Sequence, residues 1–458
     1  APASEARISP DGRHVLAAVS TQLFLMPMPP ASGETPTVNV HTPGVPVAKL
    51  TDIGVDEFFF TDGGKSVAWT LGASLFRKSM KTVTFGAVEA SPSPSPSPSP
   101  VKRAEEEAVA TDFVIEAPRA TPAGTIVLRG ARVVTMSPVK KDEVLESADI
   151  IITSNRIVSV GPSGSVAVPE GAHIISVAGK TIIPGLIDVH AHWTEVRRRV
   201  LDTEAWPFSA NLAYGVTTGR DPQTATNDVF AYQDMIDAGL IVGPRAFNTG
   251  PGVFSNTDFQ SAQAAKNVVE KYAKYYRTNT LKSYTVGNRQ QRQWMIEASR
   301  ENRIMPTTEG SLDLKLDFTH AVDGFSGNEH ALPIVPLYKD MIEVFARSGI
   351  TYTPTLLVAY GGPWAENYFY ETIDVWNDPK LRRFLPTNVL EAKAKRRPWF
   401  TEDEHVFKKL AAEALKIVRA GGRVGIGGHG QLQGIQVHWE MWALSSGGFT
   451  PMETLRAA

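Results

Sequence analysis

The sequence of 458 residues contains no cysteine. This absence excludes disulfide bonds, thiolate metal ligands and cysteine nucleophiles, so a bound metal would need histidine, carboxylate or modified lysine ligands. It fits every compartment and does not decide localisation. The sequence also lacks a run of roughly eighteen apolar residues, the length that a membrane-spanning helix needs, and we predict no membrane span. A basic and then apolar N-terminal stretch is missing too, so a signal peptide is either absent or already removed.

A marked excess of charge is also missing. The 46 Lys and Arg residues nearly balance 48 Asp and Glu residues, which gives a formal net charge of −2. Because nucleic acids and anionic membranes are bound by basic surfaces, we expect neither as a partner. The length exceeds what one hydrophobic core usually serves, and this predicts two or three domains.

Residues 1–90 contain a repeated turn and hairpin. The spacing is 51 positions from Asp11 to Asp62 and 52 from Phe24 to Phe76. A repeat near fifty residues with short strands is typical of propeller blades. The segment resembles the TolB-like blade repeat, in which a Ser-Pro-Asp-Gly turn, here at 9–12, opens each hairpin. Two blades cannot close a ring of four or more, so we expect a partial propeller; two unrelated hairpins remain the alternative.

The next two segments differ sharply in composition. Residues 91–123 begin with five Ser-Pro repeats, which exclude helix and sheet, and continue with the acidic patch 105–107. We predict an exposed linker there. Residues 124–183 then carry short β-branched runs separated by turn residues, which predict a small β-sandwich. The proposed strands lie at 125–128, 131–134, 150–152, 157–160, 174–175 and 181–183.

Strand-like and helix-like stretches alternate through residues 184–458. This order predicts a parallel sheet, and eight such units in this length fit a (β/α)₈ barrel. Apolar spacing predicts helices at 289–302 and 405–420, the second ended by glycines. The fold class is therefore α/β. The eight predicted strands lie at 186–192, 215–219, 244–249, 280–284, 304–309, 321–329, 350–357 and 423–428.

The strongest chemical motif is His190-Ala191-His192, preceded by Asp188. Alternate residues of a strand share a face, so these three side chains are expected to lie together inside a barrel. Two imidazoles one pleat apart can chelate a divalent ion. Buried histidines without a metal are the alternative, but burying two imidazoles and a carboxylate without one would be costly.

The stretch from Pro184 to His192 resembles the first-strand signature of the amidohydrolase superfamily. The resemblance covers about residues 125–458 and is strongest to the imidazolonepropionase-like and prolidase-like branch, with which the stretches 217–222 and 243–251 agree. It implies a hydrolase of amide, cyclic amide or dipeptide bonds that uses metal-activated water. It also implies one or two divalent ions, zinc above all, and a small-molecule or short-peptide substrate.

The resemblance places further ligands at other strand ends. It implies that Lys282 is carboxylated and bridges two metals, with an ordinary exposed lysine as the alternative. Where the family has a histidine, this sequence has Glu309, which can also bind zinc or manganese. The Glu-His pair that ends the sixth strand of the family is matched at 329–330, which makes His330 a ligand candidate.

The eighth strand departs from the family, which uses an aspartate as ligand and base where this chain has His429. We expect His429 to act as the general base, since imidazole titrates near neutrality. It could instead bind metal, or the site could be inactive, which leaves a non-catalytic binding protein as the alternative function. His438 and Glu440 are expected to be helix residues with structural duties rather than the base.

Tyr360 and Trp364 follow the seventh strand, and loops on that side of a barrel line its pocket. We expect both to contact substrate, with packing as the alternative. A homo-oligomer is compatible with the sequence. The TolB-like segment favours a periplasmic or secreted location over a cytoplasmic one. The partial propeller and the end at Ala458 suggest that both ends of a longer chain are missing.

Overall fold

The computed structural model describes residues 2–29, 33, 36–86, 103–193, 201–224, 226–254, 257, 260–395 and 397–458. The Ser-Pro repeat at 91–100 lies outside these residues, so its prediction as a linker stays a prediction. Among the helices of the described ranges, none is long and apolar enough to cross a bilayer.

The N-terminal region forms two four-stranded antiparallel sheets, each with its strands in sequence order. The hairpins predicted from the repeat lie at the same place in each sheet, β2–β3 in the first and β6–β7 in the second. The buried Leu25 and Trp69 belong to one shared apolar core. The strands are β1 Glu5–Ile8, β2 His14–Val19, β3 Gln22–Pro27, β4 Ala48–Lys49, β5 Phe58–Thr61, β6 Ser66–Leu71, β7 Ser74–Ser79 and β8 Val109–Asp112.

The sequence predicted that the acidic patch at 105–107 belongs to an exposed linker, but the structure shows a patch that is partly buried and hydrogen-bonded to the N-terminal region. Glu105 is buried, and its carboxylate accepts hydrogen bonds from the backbone N–H groups of Asp52 (2.6 Å) and Ile53 (2.8 Å). Burial raises the pKa of this carboxyl, and the two backbone donors oppose that rise. Strand β8 then pairs with β7. This part of the expected linker is therefore tied to the second sheet.

A five-stranded sheet follows, with order β11-β10-β9-β12 and β13 also paired to β9. The prediction of two strands at 125–128 and 131–134 is wrong, because β9 runs through Gly130, whose φ of +79° only glycine adopts readily. The strands are β9 Thr125–Val134, β10 Val144–Thr153, β11 Arg156–Pro162, β12 His173–Ser176 and β13 Thr181–Ile182.

Eight parallel strands follow, one at each predicted place, in sheets of three and five strands. Between the two sheets, Val253 bridges Ser283, and at the other end the Val189 N–H donates to the Ile426 carbonyl at 3.0 Å. The strands are β14 Leu186–Asp188, β15 Val216–Asp221, β16 Arg245–Asn248, β17 Thr280–Ser283, β18 Met305–Glu309, β19 Gly327–Glu329, β20 Thr351–Thr353 and β21 Arg423–Val424.

Several predicted strands were too long. The stretch 321–329 begins inside helix α5 (Leu314–Asp323), which Gly324 caps in the left-handed conformation, and only the last three residues of the stretch are strand. Strand β14 ends at Asp188, so His190 and His192 lie beyond it. The reason is that apolar and β-branched residues near strand ends also serve turns and helix ends, which periodicity does not separate.

Helices pack around the parallel strands, and the two predicted from sequence are present as α4 and α10. Asn288 caps α4 through a reciprocal capping box with Gln291. Leu410, Ala414 and Ile417 form the buried face of α10 in the main core. The helices are α1 Trp206–Ala213, α2 Val229–Asp237, α3 Ala262–Glu270, α4 Arg289–Glu301, α5 Leu314–Asp323, α6 Lys339–Arg347, α7 Ala365–Thr372, α8 Pro379–Phe384, α9 Thr387–Ala394, α10 Phe407–Arg419, α11 Gln436–Ser446 and α12 Pro451–Ala457.

Candidate metal centre

The carboxyl ends of the parallel strands gather the polar residues that the sequence singled out. Parallel strands present their carboxyl ends on one side of a sheet, where loops build binding sites. All six residues proposed as metal ligands or base lie together there, and all but the partly buried Glu309 and His429 are almost fully buried. They are His190, His192, Lys282, Glu309, His330 and His429.

Four of these residues form what we call the imidazole group: His190, His192, His330 and His429. The ring centroids of the contacting pairs lie 4.7 to 5.1 Å apart. The Nε2 atoms of His190 and His192 are 2.9 Å apart. One ring nitrogen from each of His190, His192 and His429 lies within 4.8 Å of the other two. Four rings at this spacing bring several nitrogen lone pairs to one small volume.

The backbone that holds these rings is unusual. His192, His330 and His429 have φ values of +41°, +71° and +63°, in the left-handed region that costs a non-glycine residue about 1–3 kcal/mol. Backbone hydrogen bonds hold two of them, from the His330 N–H to the Thr353 carbonyl at 2.8 Å and from the His429 N–H to the His190 carbonyl at 2.7 Å. Such conformations concentrate at functional sites, where the surrounding structure enforces them.

Two rings of the imidazole group, those of His190 and His429, are uncharged near neutral pH. Burial lowers the pKa of His190 well below its usual value, and the nearby Lys282 and His192 lower it further. Burial also lowers the pKa of His429 to about 2, helped by His192 and His330. A neutral imidazole carries a lone pair on one ring nitrogen, which is the form that binds a metal.

Beside the imidazole group lies a second set of residues, buried except for the partly buried Glu309, which we call the charge cluster: Arg220, Lys282, Glu309 and Glu329. The Lys282 Nζ atom is 2.6 Å from an oxygen of Glu309 and 2.6 Å from one of Glu329. Arg220 contacts the other oxygen of Glu329 at 2.9 Å. Two cations and two carboxylates alternate, so the cluster has no formal net charge.

The pKa shifts in the charge cluster follow from this pairing. Burial lowers the pKa of Lys282, but Glu329 and Glu309 raise it more, so it lies above its usual value. Burial raises the pKa of Glu309, whereas His330 and Lys282 bring it down to about 2. The His330 Nε2 atom lies 2.9 Å from Glu309 Oε1, so this nitrogen carries the proton and donates.

Two residues missed from the sequence orient the first histidines. The Nδ1 atom of His192 lies 3.3 Å from Asp221, and that of His190 lies 3.2 Å from the Thr355 hydroxyl. Contacts to the second ring nitrogen fix the orientation of a metal-binding histidine. Arg220 and Asp221 end β15, a position that could have marked them as pocket residues. Thr355 carries no such signal, because its role depends on a left-handed turn after β20.

Asp188 does not join the rings as the strand pattern predicted. Its carboxylate accepts from the backbone N–H groups of His190 and Gly428, both at 3.1 Å, and from the Gln436 amide at 3.2 Å. Burial raises its pKa to about 6, against these donors. Asp188 therefore ties the end of β14 to the turn that carries His429.

The remaining candidates divide between the site and the scaffold. The ring of Tyr360 lies 5.8 Å from that of His330, whereas Trp364 is 43% exposed and has no described contact with the site residues. His438 bonds the Tyr214 carbonyl at 2.8 Å, and Glu440 accepts from the backbone of residues 356–357. His438 and Glu440 thus have the structural duties expected of them.

Several solved structures share this fold. A Xaa-Pro dipeptidase with bound methionine matches with a TM-score of 0.53 and 14% identity, over 73% of this chain and 87% of its own. Ochratoxinase from A. niger matches with 0.51 and 15%, over 74% and 83%. Molinate hydrolase matches with 0.52 and 14%, over 73% and 84%. No family model and no curated protein matches the sequence. The mixed α/β fold is confirmed, and it is the fold of these hydrolases.

The donor set of the imidazole group fits a metal ion. Its rings are buried, its nitrogen atoms converge, and the Nδ1 atom of His330 has no hydrogen-bond partner among the described residues. A buried polar nitrogen without a partner carries a cost that a ligand would remove. Imidazole and carboxylate together are ligands that zinc and other divalent first-row metals accept.

Proposed function

We propose that this protein is a metal-dependent hydrolase of carbon–nitrogen bonds in amides, cyclic amides or dipeptides. The observation that carries the proposal is the convergence of ring nitrogens from His190, His192 and His429 within 4.8 Å at the strand ends. The fold shared with a dipeptidase and with molinate hydrolase supports the reaction class. We also propose that the eight parallel strands close into a (β/α)₈ barrel around this site, which the two hydrogen-bonded seams support.

His190, His192 and His429 would hold the first divalent ion, with His330 and its partner Glu309 as further ligands. When bound, such an ion lowers the pKa of water toward neutrality and polarises a carbonyl oxygen. Zinc is our first choice, in one or two copies, because the donors are nitrogen and oxygen atoms. If a second ion binds, carboxylated Lys282 is our proposed bridge.

The chain's own residues would prepare the pocket for this chemistry. Asp221 and Thr355 keep the rings of His192 and His190 in fixed orientations. The His330 Nε2 atom donates its proton to the Glu309 carboxylate, so this pair can hold a proton beside the substrate. Tyr360, next to His330, would contact the substrate. His429 remains our proposed base if it does not bind the ion itself.

We further propose that the two N-terminal sheets are two TolB-like propeller blades. Each sheet has four antiparallel strands in sequence order, the arrangement of a propeller blade, and their hairpins recur with the repeat of the sequence.

The alternative function is a non-catalytic binding protein. It is favoured by one observation, that an imidazole stands at 429 where the resemblance implies an aspartate base. Turnover by the metal-loaded protein separates the two functions.

The test measures metal content and hydrolysis on the same preparations. The purified protein is expected to hold one to two divalent ions per chain. The double variant His190→Ala, His192→Ala is expected to lose nearly all of this metal. The variant His173→Ala, which changes an exposed histidine of β12, is the control and should keep the wild-type content. Full metal content in the double variant would refute the metal site. A wild-type protein with full metal that hydrolyses no amide, lactam or dipeptide in a broad panel would favour the binding protein.

A further inference from the structure

An apolar cavity of about 260 Å³ lies next to the imidazole group. Three of the loops that follow site strands contribute to its wall. Leu312 follows β18, Leu332 and Val335 follow β19, and Tyr360 follows the turn after β20. Because the ring of Tyr360 also lies 5.8 Å from that of His330, the cavity and the candidate metal centre share a wall.

The cavity wall exposes large aliphatic side chains and is therefore suited to bind an apolar group. Leu312 is 73% exposed and Val335 is 44% exposed. Large aliphatic side chains left open to water at a pocket gain free energy when an apolar ligand group covers them. The volume is below the roughly 300–1,000 Å³ of pockets that enclose a whole drug-sized ligand, so this cavity fits one bulky group of a larger substrate.

One charged side chain completes the lining. Lys409, in the first turn of α10, is the cationic residue among those that line the cavity, beside Leu410. The Thr401 hydroxyl, with a smaller contribution from Lys409, lowers the pKa of the nearby Asp403 carboxyl, but no hydrogen bond or ion pair joins Lys409 to Asp403 in the described structure. A cation at the edge of an apolar cavity favours a ligand that carries an anionic group next to its apolar group.

Resting on the proposed function, we propose that this cavity selects substrates in which a bulky aliphatic or aromatic group and a carboxylate occupy one side of the scissile bond. The apolar group fills the space between Leu312, Val335 and Tyr360. The carboxylate faces Lys409. The scissile carbonyl then lies across Tyr360, on the side of His330.

Binding of product-like acids tests this without relying on turnover. The metal-loaded protein is titrated by calorimetry with 4-phenylbutyrate, with 4-phenylbutanamide, which lacks the charge, and with butyrate, which lacks the ring. Phenylbutyrate is expected to bind about tenfold or more tighter than butyrate, since burying a phenyl group contributes that much. It should bind a few-fold tighter than the amide, the size of effect of an exposed ion pair.

Two pairs of variants locate the binding. Leu312→Asp should weaken phenylbutyrate binding about tenfold, whereas Leu240→Asp, which changes a leucine that is 71% exposed outside the cavity, should not. Lys409→Glu should abolish the preference for the acid over the amide, whereas Lys315→Glu on α5 should keep it. Both cavity positions are exposed, so the variants are expected to fold, and circular dichroism checks this.

Equal binding of phenylbutyrate and butyrate, or equal loss in Leu312→Asp and Leu240→Asp, would overturn the cavity proposal. Its failure is distinct from failure of the proposed function. If only the cavity proposal fails, the metal-loaded protein hydrolyses amides without a preference for apolar groups. If the proposed function fails, the protein binds phenylbutyrate as expected but hydrolyses nothing in the panel.

Discussion

The imidazole group and the charge cluster lie side by side at the same strand ends but differ in how their buried polar atoms are satisfied. In the charge cluster, each carboxylate contacts a cation at 2.6 to 2.9 Å, and the formal charges cancel. In the imidazole group, the centroids of the uncharged rings of His190 and His429 lie 4.9 Å apart, and the Nδ1 atom of His330 has no hydrogen-bond partner among the described residues. In the first set every carboxylate is paired with a cation, whereas the second has lone pairs that a metal cation would satisfy. The comparison points to the imidazole group as the place where the first ion binds, and to the charge cluster as a set that stays paired in the metal-free protein.

The largest expected effect comes from breaking the charge cluster. Glu329→Gln removes the carboxylate between Lys282 and Arg220 and leaves a buried excess of positive charge. We expect a loss of about 3–5 kcal/mol in the free energy of unfolding, the usual cost of removing one partner from a buried ion pair. Urea denaturation measures it.

The control for this change is Glu146→Gln, because Glu146 is 79% exposed and pairs with Arg132 at the surface. A surface pair contributes at most about 1 kcal/mol, so this variant should remain close to wild type. If the two variants lose equal stability, the charge cluster does not act as a buried network.

The next largest effect is on turnover. It concerns His429, for which two roles are proposed, metal ligand and general base. His429→Ala is expected to lower kcat about a hundredfold or more if this ring is base or ligand, and His429→Asp should retain activity. Metal content of the same variants separates the roles, since only a ligand variant loses metal. Normal turnover by His429→Ala would place the base elsewhere.

A smaller effect, about tenfold to a hundredfold on activity, is expected for Lys282→Ala, the size that supporting residues of metal sites show. In the metal-free protein the Lys282 ammonium belongs to the charge cluster. Once two ions are bound, we expect the ammonium to lose a proton to solvent and the resulting amine to add carbon dioxide with release of a second proton, because the cations stabilise the anionic carbamate.

Intact-mass measurement under native conditions checks this carboxylation of Lys282. The metal-loaded protein in bicarbonate should gain the mass of one carbon dioxide, and Lys282→Arg should not. Short carboxylic acids should partly rescue Lys282→Ala. An unchanged mass with two ions bound would show that Lys282 stays an ammonium and that the charge cluster persists in the loaded protein.

The smallest effect concerns Glu440, which is buried and accepts hydrogen bonds from the backbone that follows Thr355. Burial raises the pKa of Glu440 to about 8, although the backbone N–H groups of residues 356 and 357 oppose the rise. The folded protein therefore binds this proton more tightly than the unfolded chain. The stability contributed by Glu440 is full below its unfolded pKa near 4.5 and declines as the pH rises toward 8.

The slope of this decline is at most about 1.4 kcal/mol per pH unit for one group. Glu440→Gln should flatten it between pH 5 and 8, as measured by urea denaturation at several pH values. An identical slope in the wild type and in the variant would mean that Glu440 titrates at its ordinary value.

The sequence predicts the parts of the fold and of the site that depend on the local pattern of apolar and polar residues along the chain. The positions of the eight parallel strands follow from the alternation of strand and helix. The meeting of His190, His192, Lys282, Glu309 and His330 follows from their places at strand ends, together with a family resemblance.

The sequence does not predict individual contacts between residues that are far apart in the chain. Glu329 precedes His330 in the sequence, but its role depends on Arg220, which is 109 positions away. The burial of Glu105 depends on the N–H groups of residues 52 and 53, and the detachment of Asp188 from the rings depends on the turn at Gly428. Composition and periodicity carry none of these pairings.

The difference between the two groups is tested most directly by anomalous diffraction from crystals of the protein loaded with zinc. The account predicts a zinc peak within bonding distance of nitrogen atoms of His190, His192 and His429, with Arg220 still paired to Glu329. Crystals at saturating zinc that show no peak in the imidazole group, with the Nε2 atoms of His190 and His192 still hydrogen-bonded to each other, would contradict it.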